Sequence, residues 1–204
     1  MTHPSPLLFA SRLLVLLLPL AGCGSTPSTD WYLLEATATP LPAAGGPSIG
    51  IARLEVADYL LAPQVQTHSG PNSVRRADFA RWAEPLDQGV ARVLLLDLAA
   101  VAGTERVRLA PWPRDWVPER ELMVRIERLD AGPAEVELVA TWSVQDGART
   151  RPARDRLGRL SRPRSGAGAE SVAADYSALL GELARQIAAD LTSPAADDVA
   201  PASD

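Results

Sequence analysis

Glu135-Val136-Glu137-Leu138-Val139-Ala140-Thr141-Trp142 is the stretch whose reading decides the fold. Val136, Leu138, Ala140 and Trp142 alternate with Glu135, Glu137, Val139 and Thr141. A period of two places the first set on a buried sheet face and the second on a mostly wet one. Upstream, Leu122, Val124, Ile126 and Leu129 approximate the same alternation, and Asp130-Ala131-Gly132-Pro133 reads as the turn between the two runs. Downstream, Asp146-Gly147 is a second turn signal. Residues 149–161 alternate arginine with small residues and carry only Leu157 and Leu160. They read as an exposed strand whose charges discourage edge pairing. Residues 121–161 therefore predict an antiparallel meander with one face to be covered.

The cover is legible further along. Glu170 to Leu191 is the best helix candidate in the chain, with Val172, Tyr176, Leu179, Leu180, Leu183, Ile187 and Leu191 on a single stripe. Glu170 and Asp175 lie early and Arg185 late, as the helix dipole favours. A second helix is expected over Trp82 to Ala102, with Pro85 in its first turn and Leu86, Val90, Val93, Leu94 and Val101 near one face. Periodicity alone does not exclude a buried strand at 93–98; length and the Gly103 stop favour the helix. Short strands are expected at Trp31–Leu34, Ile49–Val56, Val65–His68 with residues 73–77 pairing back, and Val107–Leu109.

The N-terminus carries a different signal. An apolar run from Leu13 to Ala21 follows Arg12 and ends in Leu20-Ala21-Gly22-Cys23, the only cysteine. The parts are those of a secretory signal: a basic start, a short apolar core and a small-residue cleavage site. A membrane-spanning helix needs about 20 apolar residues; this run is shorter, and Pro19 interrupts it. The four residues resemble the lipobox of bacterial lipoproteins, which implies that Cys23 is acylated and becomes the new N-terminus. An ordinary signal peptide leaving a free thiol is the other reading. The resulting organisation is a signal peptide over 1–22, a lipidated tether over 23–30, one domain over 31–192 and a disordered acidic tail over 193–204. Gly24 follows the cysteine. In Gram-negative lipoproteins aspartate there commonly retains the protein in the inner membrane, so the lipobox resemblance implies the outer membrane, periplasmic face.

Composition narrows the function. All 20 basic residues are arginine, which fits a GC-rich genome. Removal of residues 1–22 takes away Arg12 and no acid, leaving 19 basic against 25 acidic residues. A mildly acidic body argues against nucleic-acid binding, which depends on phosphate neutralisation by basic patches. With its cysteine lipidated the domain has no thiol chemistry or disulfide. His68 is the one histidine outside the signal peptide, and a lone histidine serves structure more often than catalysis. There is no Cys/His cluster for zinc, no G-x-S-x-G elbow and, without lysine, no phosphate loop. Glu135 and Glu137 lie on a wet strand face and Glu84 in a helix start, where carboxylates are surface charges or caps. No catalytic residue, cofactor or metal is expected. Trp82 is expected under the first helix. Trp112 and Trp116, between prolines in the segment 111–118, are the candidates for contact with a partner.

Several motifs together resemble one family. They are Tyr32-Leu33-Leu34, Pro63-Gln64-Val65, Arg81-Trp82-Ala83-Glu84-Pro85-Leu86, Pro111-Trp112, Ala140-Thr141-Trp142 and a long C-terminal helix with Tyr176. The chain resembles the PqiC-type ABC-transport auxiliary lipoproteins, the outer-membrane component of MCE lipid-transport systems, over nearly all of residues 30–191. The family often has an arginine soon after Pro-Gln-Val, where this chain has His68. The resemblance implies an α+β fold, a mixed sheet with two packed helices similar to the N-terminal domain of TolB. It implies a non-enzymatic subunit of an envelope-spanning lipid-transport path. Its partners would be an MCE-type periplasmic protein and, through it, an inner-membrane ABC permease. A homo-oligomer is left open. The alternative is a free-standing lipoprotein that scaffolds envelope assembly.

Overall fold

A computed structural model describes residues 27–39, 45–150 and 152–192. The signal peptide, Cys23 and the acidic tail lie outside the described residues. The elements run β1 (Asp30–Tyr32), β2 (Ile49–Val56), β3 (Gln64–Gly70), β4 (Ser73–Trp82), α1 (Leu86–Ala102), β5 (Val107–Leu109), β6 (Arg120–Ala131), β7 (Glu135–Asp146), β8 (Arg154–Pro163) and α2 (Ala169–Thr192). Asp58–Leu61 adds a single 3₁₀ turn.

Among the described residues the fold is α+β with two helices, as the sequence predicts, but the strands divide between two mixed sheets. The larger has the order β5-β2-β6-β7-β8 and the smaller β1-β4-β3. The meander is β6-β7-β8, antiparallel throughout. Val136, Leu138, Ala140 and Trp142 are all buried, opposite Ala131, Leu129, Ile126 and Val124 of β6. They meet the α2 stripe, in which Val172, Leu180, Leu183, Ile187 and Leu191 have no exposed surface. The core therefore lies between the inward face of the larger sheet and the two helices.

Two expectations are corrected. The first helix begins at Leu86 and not at Trp82: residues 80–82 are paired in parallel with Asp30–Tyr32, and Pro85 stands at the N-cap in an extended conformation. Trp82 accordingly ends β4 and is buried in the same core cluster as Leu86 and Val90. Its ring stacks on Tyr176 of α2, with centroids 6.0 Å apart and 25° between planes. The turn read at 130–133 starts later, because Asp130 and Ala131 still pair with Glu137 and Val136. Beyond these, Gly103 ends α1 as read, in the left-handed conformation with φ 59°, its N–H directed at Ala99 and Ala100 carbonyls.

Parallel neighbours need crossovers. The connection from β2 to β5 contains β3, β4 and α1. The connection from β5 to β6 has only residues 110–119 in which to pass from one side of β2 to the other. It leaves with the Ala110 N–H bonded to the Ile51 carbonyl and returns with the Arg120 N–H on that of Ser48. It must cross β2 between those points, over Gly50.

Candidate partner-binding surface

The crossing explains the tryptophans. A Cβ on Gly50 would lie 2.8 Å from Trp112 Cη2 and 2.9 Å from Pro118 Cγ, so the strap lies flat on the strand only because position 50 has no side chain. Trp112 meets Trp116 edge to face at 5.4 Å. The Arg108 guanidinium lies over the Trp116 ring, 4.9 Å from its centroid, in cation–π contact. Both tryptophans are half-buried. The structure thus brings the two predicted residues together and gives them different work. Trp112 holds the crossover onto the sheet, whereas Trp116 sits beside Val117, which is 66% exposed. Leu109, 40% exposed, ends the edge strand on its other face, opposite Ile51 and toward α1. Trp112, Trp116 and Val117 with Arg108 among them make an aromatic and apolar shelf on the Gly50 side of the sheet, the composition that anchors protein contacts.

The remaining site candidates are structural. His68 Nε2 lies 2.9 Å from Asp130 Oδ1, to which the Tyr59 hydroxyl donates at 2.7 Å. Arg128 Nε holds the other oxygen at 2.9 Å. Burial pushes the Tyr59 hydroxyl far above its ordinary pKa, with the bond to Asp130 adding to the shift. This clasp joins the smaller sheet to the end of β6. It was missed in the sequence because Asp130 reads as a turn residue. Glu137 pairs with Arg128 at 2.9 Å. Glu84 does not cap α1: it accepts two hydrogen bonds from Arg92, two turns into that helix, at 2.6 and 3.1 Å. Arg92 also donates to the Leu34 carbonyl at 2.7 Å, tying the β4–α1 connection, α1 and the segment after β1 together. Among the described residues no group of three His, Cys, Asp or Glu side chains could hold a metal ion, and no helix is long and apolar enough to cross a membrane.

The motif residues therefore specify one packing arrangement: Trp82 on Tyr176, Glu84 on Arg92, Trp112 on Gly50 and Trp142 on α2. Residues 32–188 match the family described as the ABC-type transport auxiliary lipoprotein component. The chain belongs to that family. Two solved structures share the fold. One is an uncharacterised protein, 16% identical, with a TM-score of 0.66 over 81% of this chain and 100% of that one. The other, from Xanthomonas campestris, is 15% identical with a TM-score of 0.64 over 78% and 93%. At those identities the likeness shows the fold alone. No curated protein matches the sequence. The auxiliary lipoprotein family is a non-enzymatic kind of transport component, and membership makes the chain a membrane-anchored envelope protein.

Proposed function

We propose that this auxiliary lipoprotein is anchored through Cys23 to the periplasmic face of the outer membrane and docks there an MCE-type periplasmic protein. An inner-membrane ABC permease would supply the energy through that protein, and the cargo would be lipid. Family membership carries the reading, and the Leu20–Cys23 motif supports the anchor. The chain itself contributes contact and not chemistry. His68 with Asp130 and Glu84 with Arg92 are pairs that hold elements together. The contact is assigned to the shelf of Trp112, Trp116 and Val117, ahead of the arginine-rich strand β8, because a desolvated tryptophan contributes more to an interface than rim charge does.

The test is capture from crosslinked envelopes. Wild type is expected to recover an MCE-type protein and palmitate label. A folded Trp116→Ala variant is expected to recover much less of the protein and the same label. Undiminished capture by the variant removes the shelf from consideration. No MCE-type protein with wild type, under conditions that recover other envelope complexes, refutes the transport reading and leaves the free-standing scaffold. Absence of label refutes the anchor.

A further inference from the structure

The smaller sheet leaves one face open, and that face lies beside the tether. Along β1 and the residues after it, Tyr32 and Leu34 turn inward, Leu34 being fully buried. Trp31 and Leu33 alternate with them and are 62% and 46% exposed. On β4, Ala80 and Trp82 are buried, while Phe79 is 44% exposed. The register sets Trp31 against Arg81, so Trp31, Leu33, Phe79 and Arg81 share the outward side. Asp30 and Asp78 of the same strands are exposed as well.

We infer that this outward face is a membrane-contact surface, seating the domain on the phospholipid bilayer that holds its own anchor. The inference rests on the reading of Cys23 as lipidated. Cys23 precedes Trp31 by eight residues in the sequence. Eight residues span at most about 28 Å fully extended, and about 16 Å as a flexible Gly/Ser-type linker. The end of the domain bearing Trp31 is thus the end kept at the lipid surface. Its chemistry fits that place. Aromatic rings settle at the headgroup level, where one part of the side chain is wet and the rest apolar. Arginine lays its stem along apolar surface and carries its charge to the phosphates. Acyl chains alone would leave the domain free to rotate about the tether. Insertion of Trp31, Leu33 and Phe79 adds a second attachment and fixes one orientation. A protein partner on the same face is the competing occupant.

Trp31 reports directly on the inference. The full lipidated chain is floated with vesicles of phosphatidylethanolamine and phosphatidylglycerol, made with ordinary or brominated acyl chains, and tryptophan emission is compared. Wild type should float and be quenched by brominated lipid. Trp31→Phe should float, melt as wild type does and lose most of that quenching, whereas Trp116→Phe should keep it. A folded Leu33→Glu, Phe79→Glu double variant should float with most of the quenching lost. Floating wild type without quenching, or quenching untouched by Trp31→Phe, overturns the surface and leaves the anchor standing. Wild type that does not float overturns the anchor reading and this surface with it.

Discussion

Asp97 holds Thr37 from inside the core: one carboxylate oxygen accepts the N–H groups of Thr37 and Ala38, each at 2.8 Å. Asp97 stands on the buried stripe of α1 and has no exposed surface. The segment it binds crosses onto α2 as well, where the Glu35 N–H donates to the Ser177 hydroxyl at 3.0 Å. There a Cβ on Gly181 would come within 2.3 Å of Thr37 Oγ1. Replacing Asp97 with Ala strands two donors, and the expected cost is about 1–3 kcal/mol, read as a lower melting temperature.

The same carboxylate carries a pH signature. Burial pushes the Asp97 carboxyl above its ordinary range, against the two N–H bonds, which favour the charged form. The folded state then binds more protons than the unfolded one in the window upward from about pH 4. Stability must fall as pH rises through that window. Asp97→Asn keeps the acceptor and should flatten this slope. Melting curves across the window check it; an unchanged slope in the variant would assign the pH dependence elsewhere.

Gly158 faces the Trp142 ring, and a Cβ there would lie 2.6 Å from Cζ3. The ring cannot slide away freely, because Trp142 Nε1 donates to Asp190 of α2 at 2.9 Å. Gly158→Ala should cost about 1–3 kcal/mol by overpacking. The denaturation midpoint in urea should shift down accordingly; an unmoved midpoint would mean that the ring yields.

Leu183 is wholly buried under the larger sheet, while Leu157 on β8 is 58% exposed. Leu183→Ala is expected to cost about 2–5 kcal/mol. Leu157→Ala should stay within about 0.5 kcal/mol of wild type. Equal effects in a thermal melt would contradict the assignment of the sheet's covered face.

Gly50→Ala should lift the 110–119 crossover by displacing Trp112 and Pro118. A red shift of tryptophan emission and reduced capture of the partner should appear together. Loss of capture without the spectral change would separate the contact from the seating of the crossover.

Much of the fold was legible from the chain. The alternation at 135–142 gave the correct buried face because side chains in a strand have a fixed period of two, whatever lies across from them. The stripe from Val172 to Leu191 placed α2 for the matching reason at 3.6. The candidate surface was legible in part. Tryptophans flanked by prolines stood out at 112 and 116, but nothing local distinguished the one that packs from the one that is presented. Gly50, which decides it, reads as an ordinary residue in a strand.

Local pattern by itself determined the two helices, the meander, the covered face and the Leu20–Cys23 motif. Each is a property of neighbouring residues and of backbone periodicity. Only the tertiary structure decided the division into two sheets and the partner of Trp82. The same holds for the clasp of His68 on Asp130, for Asp97 as an acceptor inside an apolar stripe, and for the crossing over Gly50. Those features pair residues far apart in the chain. A buried carboxylate or a missing Cβ acquires its meaning from the group that arrives opposite it, and no local period encodes that group.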